Sequence, residues 1–304
     1  MPVFSCTVEE SIPPGLRLDR YISEYLKLIS RSQIKAKKLK AHLNGKVIKN
    51  SRVLTGGEFL ELSWDEAECN FLIPENIPLD IIYEDKRVIV VNKAQGLVVH
   101  PGAGNRQGTL ANALLYRRVG NVEQELGIRP GIVHRLDKDT SGVMIAAWDE
   151  KAHIFLSEQF KARKVGKTYA ALVKGCPKDK LGFIDKKIIR SLRDRKTFTV
   201  SDKSGRPSLT YFRLVRSWGN YSLLLLRPKT GRTHQLRVHL KYLGNPILGD
   251  PIYGREDTAF PNVTLMLHAK SLSLVLPGFN KPQKFRTPLP ERFREVIHVL
   301  NRRY

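Results

Sequence analysis

The 304 residues carry 52 Lys and Arg against 29 Asp and Glu, a formal charge of +23, and 41% of them are hydrophobic. That is apolar material enough for a sizeable core, which excludes a disordered or fibrous chain, and the length suits one large domain with a smaller companion. The cationic excess attracts polyanions through counterion release, so the expected partner is nucleic acid or an anionic membrane surface.

No run approaches the roughly 18 apolar residues of a spanning helix, and residues 1–10 lack a basic region followed by an apolar stretch, so no membrane insertion and a cytoplasmic location are expected. Cys6, Cys69 and Cys176 are scattered in no metal-ligand spacing, which fits a reducing compartment and neither a disulfide framework nor a zinc site. The chain contains no internal repeat, no G-x-G-x-x-G and no G-x-x-x-x-G-K-[ST], which disfavours dinucleotide and triphosphate chemistry.

In chain order, Leu18, Tyr21, Ile22, Tyr25 and Leu26 have the three-and-four spacing of an amphipathic helix over 16–26. Ser30 and Gln33 stand three apart, as in a capping box, and predict a second helix that Asn44-Gly45 closes. In it Lys35, Lys37, Lys38 and Lys40 surround Ile34, Leu39 and Leu43, so one side packs while the other presents cations to solvent or to phosphates. Residues 46–48 and 58–64 read as short strands joined through Gly56-Gly57.

Residues 1–64 thus form a small unit of two helices with a short sheet, and the acidic, proline-containing stretch 65–79 reads as a linker. The second domain, 80–304, has strands over 87–91, 143–147, 168–173 and 221–226, with a helix over 152–163 that places Phe155, Leu156 and Phe160 on one face. The fold class is α+β: a two-helix module followed by a mixed α/β domain built on a large, mainly antiparallel sheet.

Two clusters carry chemistry. Gly131-Ile132-Val133-His134-Arg135-Leu136-Asp137-Lys138-Asp139-Thr140-Ser141-Gly142 runs from a short apolar strand through a polar turn into the apolar strand 143–147. A carboxylate flanked by Arg135 and Lys138 suits either catalysis or a turn held by Asp and Thr side-chain hydrogen bonds. The second cluster, from Arg227 to Leu240, follows an apolar strand and leads into a helix with Leu236, Leu240 and Leu243 on one face, Arg232 standing at its start. His234 and His239 lack the four-residue spacing that puts two imidazoles on one helical face, and no metal is expected there. Taken alone, this cluster reads equally as a basic, RNA-facing or solvated surface.

Taken together, His134-Arg135-Leu136-Asp137 with Thr140-Ser141-Gly142 resembles the signature of the large-subunit ribosomal RNA type of pseudouridine synthases. Residues Asn92-Lys93-Ala94-Gln95-Gly96-Leu97-Val98-Val99-His100-Pro101-Gly102 resemble that family's first motif, Lys167-Thr168-Tyr169 its Lys-x-Tyr strand, and Gly231-Arg232-Thr233-His234-Gln235-Leu236-Arg237 its third motif. Arg17-Leu18-Asp19, Ser30-Arg31-Ser32-Gln33 and Asn44-Gly45-Lys46-Val47 resemble the RNA-binding module of small-subunit ribosomal protein four. The order of module and catalytic domain, with Arg129-Pro130 ahead of the signature, most resembles the subfamily called ribosomal large subunit pseudouridine synthase D. Asn245 departs from the pattern, since many relatives are expected to carry His there.

The resemblance implies an RNA-modifying isomerase with no cofactor, because breaking the sugar–base bond and rejoining the base through carbon five oxidises nothing. It assigns Asp137 as the catalytic carboxylate, kept ionised by a bidentate partner that the resemblance places at Arg232. Tyr169 would stack on the target base, an ordinary phenol near pKa 10 being a poor proton acceptor. Extruding a base costs a few kcal/mol, and Arg135 would hold the flipped arrangement. His134, Lys167, Leu236 and the segment Leu267-His268-Ala269 would line the pocket, with Arg31, Lys35 and Lys38 of the module meeting phosphates. The expected partner is structured RNA, foremost large-subunit ribosomal RNA, bound by a monomer. The rival readings are a non-catalytic RNA-binding assembly factor, a synthase acting on transfer RNA, and, weakest, a membrane-surface protein.

Overall fold

A computed structural model of the chain describes residues 3–65, 72–102, 104–119, 131–192, 194 and 197–304, with the side chains of residues 32, 35, 36 and 119 excepted. Cys69, the acidic stretch around Glu66 and Glu68, Arg129-Pro130 and the side chain of Lys35 lie outside the described residues. The chain divides into two units, Met1–Phe71 and Leu72–Tyr304.

In the first unit, apolar alternation closes a four-stranded antiparallel sheet in the order β1 (Val3–Thr7), β4 (Phe59–Ser63), β2 (Lys40–Leu43), β3 (Lys46–Ile48). Leu60 and Leu62 of β4 point to a core shared with Leu18, Ile22 and Ile34. The expected first helix is α1 (Leu18–Arg20), continued as a π-type segment over Tyr21–Tyr25, where the Leu26 amide reaches back five residues to the Tyr21 carbonyl. This wider winding takes Tyr25 off the buried face, so it lies exposed with its ring stacked on Tyr21.

The second helix is shorter than its spacing predicts. α2 spans only Arg31–Ala36, opened by the expected cap in which the Ser30 amide donates to Gln33 Oε1 at 2.9 Å. Lys38 takes a left-handed φ of 47°, which ends the helix, and Lys40–Leu43 becomes strand β2, with Ala41 and Leu43 buried and Leu39 buried just before it. Leu39 and Leu43 also satisfy a helical i, i+4 spacing, but the burial of Ala41 between them is the period-two pattern of a strand.

The second unit is organised by one large mixed sheet. Its main path is β10 (Leu181–Asp185), β13 (Leu209–Trp218), β14 (Tyr221–Pro228), β9 (Gly166–Lys174), β15 (Leu267–Val275), β8 (Ser141–Ala147), β6 (Val88–Lys93), β5 (Asp80–Glu84). β16 (Pro282–Arg286) is added to β15, and β7 (Gly131–Ile132) to β8. The pairing is antiparallel except between β15 and β8, where His268 and Ala269 register with Ser141 and Gly142. A separate hairpin joins β11 (Lys187–Arg190) to β12 (Phe198–Ser201).

Central strands are apolar on both faces because both are covered. Val88, Val90, Val143 and Ile145 pack with Leu156 of α4 (Glu150–Lys161), while Ile89, Val91 and Met144 pack on the other side with Leu110 and Leu114 of α3 (Leu110–Val119). Of the three residues expected on the inner face of α4, Leu156 is buried, Phe160 half-buried and Phe155 exposed. A further cluster packs Leu236 and Leu240 of α5 (Gln235–Tyr242) and Phe293, Val296 and Leu300 of α6 (Glu291–Arg303) with β9 and β14.

Gly142 is required where β8 meets β15. Its φ is 121°, and a Cβ there would stand 2.3 Å from the Ala269 carbonyl oxygen, so only glycine permits this close parallel approach beside the Asp137 turn.

Candidate active site

The turn carrying Asp137 joins β7 to β8 and is clamped by the loop that follows β6. Lys93, at the end of β6, is buried, and its ammonium donates to three carbonyls: Ala94 and Leu97 at 2.8 Å and Lys138 at 2.9 Å. Burial pulls its pKa down to about 8, opposed by the nearby Asp139 and Asp137 carboxylates. The Gly96 amide donates to the same Lys138 carbonyl, and Gln95 Nε2 donates to the Asp139 carbonyl at 3.0 Å. The Thr140 amide closes the turn on the Asp137 carbonyl at 3.1 Å. The first motif therefore acts on the backbone immediately after Asp137.

Asp137 opens into a cleft of about 930 Å³. The cleft takes its walls from the Asp137 turn, the start of β9, the end of β14 and the start of α5, and it is cationic through Lys161, Arg163, Lys164, Lys167, Arg227, Lys229 and Lys284. Among the described lining residues, Asp137 is the one acidic side chain.

Its guanidinium partner is Arg237 rather than Arg232. Arg237 is buried on α5, with Nε and Nη2 each 2.7 Å from the Asp250 carboxylate and Nη1 3.8 Å from Asp137 Oδ2. Burial works against the charge of Arg237, but the bidentate bond to Asp250 outweighs it and raises its pKa; Asp250 in turn is held below the usual carboxylate range despite its burial. Arg232 lies on the cleft wall, where its Nε donates to the Pro207 carbonyl at 3.4 Å. The turn into α5 is fixed by buried Gln235, whose Oε1 accepts from Thr230 Oγ1 at 2.7 Å and from the Arg232 amide at 3.1 Å.

Tyr169 lines the cleft on β9, and burial, followed by the Asp137 charge, pushes its phenol above the ordinary value, making it a still poorer proton acceptor. Lys167, two residues earlier, also lines it, with its pKa lowered by burial. Arg135 is exposed at the cleft mouth, and Leu236 contributes a buried apolar wall.

His134 borders the cleft but is committed to the fold. Its Nε2 accepts the Ile145 amide at 3.1 Å, its ring stacks on Phe160 with centroids 4.5 Å apart, and burial, aided by the Lys167 charge, lowers its pKa to about 3. The imidazole is therefore neutral and unavailable as a base contact through Nε2. Of Leu267-His268-Ala269, Leu267 alone borders the cleft; His268 is buried between Ser141 Oγ at 2.9 Å and Thr287 Oγ1 at 2.8 Å.

Sequence spacing also passed over His234. It stands at the N-terminus of α5 with φ 54°, its Nδ1 2.8 Å from the Tyr253 hydroxyl and its Nε2 4.0 Å from Asp137 Oδ2. His239 is turned elsewhere, its Nδ1 bonded to Thr210 Oγ1 at 3.0 Å. Asn245, the departure noted above, is buried and donates to the Lys174 carbonyl at 3.1 Å, away from the cleft lining.

In the first unit, Arg31 is engaged with Asp19, its Nη2 2.9 Å from Oδ2, and Arg17 holds the other carboxylate oxygen at 3.1 Å. Lys38 is exposed, with Nζ 3.7 Å from Asp65. Among the described residues, no helix is long and apolar enough to cross a membrane.

Comparison with known proteins places this geometry. The RNA pseudouridylate synthase family model matches residues 87–242, which include the Asp137 turn, Tyr169 and Arg237. The ribosomal large subunit pseudouridine synthase D of Borreliella burgdorferi is 46% identical over 304 residues, covering 97% of this chain and 91% of that one. An uncharacterized RNA pseudouridine synthase of Aquifex aeolicus is 43% identical over 301 residues, covering 93% of each. The solved structure of human RNA pseudouridylate synthase domain containing 4 superposes with a TM-score of 0.60 at 28% identity, over 73% of this chain and 93% of that one. The chain belongs to the RNA pseudouridylate synthase family.

Proposed function

We propose that this protein isomerises specific uridines of large-subunit ribosomal RNA to pseudouridine, using Asp137 as its catalytic carboxylate. The observation that carries the assignment is a lone carboxylate facing a cleft otherwise lined by cations, with a structurally fixed guanidinium 3.8 Å away. A polyanionic backbone is drawn to such a cleft, and a carboxylate placed there acts on the sugar–base bond with its charge and orientation already set. Tyr169 supplies the ring on which the extruded base packs, and Lys167, Arg135 and Arg232 meet the flanking backbone. The reaction breaks the bond from sugar to nitrogen one and forms that to carbon five; the carbon-five proton departs and nitrogen one is protonated, with no net redox change.

Residues 1–64 are proposed as the RNA-binding module, with 65–79 as linker and 80–304 as catalytic domain, in a monomer that works in the cytoplasm. Names of relatives that refer to the large ribosomal subunit support that choice of RNA. The test maps pseudouridines by selective chemical labelling in protein-free ribosomal and transfer RNA incubated with the wild type or Asp137→Asn. Discrete large-subunit sites made by the wild type and absent with Asp137→Asn, which still binds, are the expected result. Tight binding with no modification by either protein would make the chain an assembly factor, and sites confined to transfer RNA would move the substrate.

A further inference from the structure

At one edge of the large sheet, β10 and β13 expose a row of side chains that runs outward from the cleft wall. Phe183 on β10 is 64% exposed and stands opposite Tyr211 on β13, which is 42% exposed and is itself registered with Arg227 on β14. The Phe183 and Tyr211 rings have centroids 6.1 Å apart with planes inclined by 52°. Two residues along, Leu181, 66% exposed, is registered with exposed Arg213. Alternation produces this face: Thr210 and Phe212 turn to the buried side and leave Tyr211 and Arg213 outside.

The row is continuous with the cleft, because Tyr211 and Arg227 line it. A surface meant for a protein partner concentrates apolar groups at its centre and depletes charge there. Here Arg227, registered with Tyr211, and Arg213, two residues along the same strand, flank the Phe183–Tyr211 pair, an arrangement suited to bases on the rings and phosphates on the arginines. We infer that Phe183, Tyr211, Arg213 and Arg227 form a stacking platform for single-stranded RNA, which receives the unpaired nucleotides adjoining the base held in the cleft. The part played by the cleft rests on the function proposed above, but the platform's ligand class does not.

Fluorescence anisotropy with the full chain tests it, using labelled unstructured oligouridine and a labelled RNA duplex of equal length as probes. Phe183→Ala is expected to weaken oligouridine binding by on the order of tenfold, the usual loss for one stacked base, with duplex affinity unchanged. Phe183→Leu, which keeps apolar bulk without the π face, should weaken it similarly, and Phe183→Trp should retain wild-type affinity. Equal weakening of both probes, or no change in either, would overturn the inference. So would a wild-type dimer in sedimentation that Phe183→Ala dissolves, which would give the face to a second copy of the chain. Pseudouridine formation by the wild type is scored separately, so loss of that activity assignment and loss of the platform are distinguishable.

Discussion

Arg237 is shared unequally between two carboxylates, bonded through two nitrogens to Asp250 at 2.7 Å and offering the third to Asp137 at 3.8 Å. The short pair fixes the guanidinium, which in a buried position has little freedom to follow Asp137, so the carboxylate proposed for catalysis meets a cation whose orientation is already decided. Asp250 is fixed in turn, its Oδ1 accepting the Ile252 and Tyr253 amides at 2.9 and 3.0 Å.

Separating the two roles of Arg237 takes a double substitution. Arg237→Met leaves Asp250 buried without its cation and should destabilise the protein by about 3–5 kcal/mol. Adding Asp250→Asn removes the stranded charge and should recover most of that loss, whereas pseudouridine formation should stay at least about a hundredfold slower because Asp137 still lacks its partner. Thermal midpoints and single-turnover rates on one RNA read both quantities. Recovery of rate together with stability would show that Arg237 serves the fold alone.

Lys93 tests how far the Asp137 turn depends on the loop after β6. Lys93→Met keeps the aliphatic stem but removes the shared donor of three carbonyls: Lys138 retains the Gly96 amide, whereas Ala94 and Leu97 lose the ammonium, at a cost of about 1–3 kcal/mol for each that water cannot reach. The expected signature is a fall in single-turnover rate with RNA affinity kept, since Lys93 is buried and touches no substrate. A purely lowered affinity would contradict it.

Much of the site was legible because polar residues interrupt otherwise unbroken apolar strands: Asp137 lies between β7 and β8, both buried or half-buried, so the turn had to surface at a strand end. What spacing did not reveal is set by distant partners. Arg232 and Arg237 are both arginines of one motif, and only Asp250, thirteen positions beyond Arg237, decides which guanidinium is fixed beside Asp137. Likewise His134 sits within the signature, yet its role comes from Phe160 and the Ile145 amide, which the fold brings to it. In the first unit the helical reading of this stretch failed because the pairing of Lys40–Leu43 with β4 outweighs local propensity.

Three histidines, two of them fully enclosed, predict an acid-sensitive fold. Burial lowers His134 to about 3, and His239 and His268 to about 4, from an ordinary value of 6.5. Between pH 6.5 and 4 the unfolded chain therefore binds protons that the folded chain refuses, so stability is fully present above 6.5 and falls with pH through that window. Each histidine contributes a slope of up to about 1.4 kcal/mol per pH unit. His268→Gln, able to keep a bond to Ser141 or Thr287 without titrating, should flatten the dependence of the thermal midpoint on pH. An unchanged slope would assign the acid sensitivity to other groups.

The two cations of the first unit should behave differently toward RNA. Lys38 is exposed and only loosely placed near Asp65, so it is free to neutralise a phosphate, whereas Arg31 is tied to Asp19 and must break that ion pair to do so. Lys38→Gln should therefore weaken RNA binding and reduce the slope of log affinity against log salt by roughly 0.7 to 0.9, the increment of one phosphate contact. Arg31→Gln should leave the slope nearly unchanged while lowering the thermal stability of the first unit, because buried Asp19 retains only Arg17. Titrations at several salt concentrations, read beside melting curves, separate the two. A reduced slope with Arg31→Gln and none with Lys38→Gln would reverse the assignment and place the phosphate on the α2 side of the module.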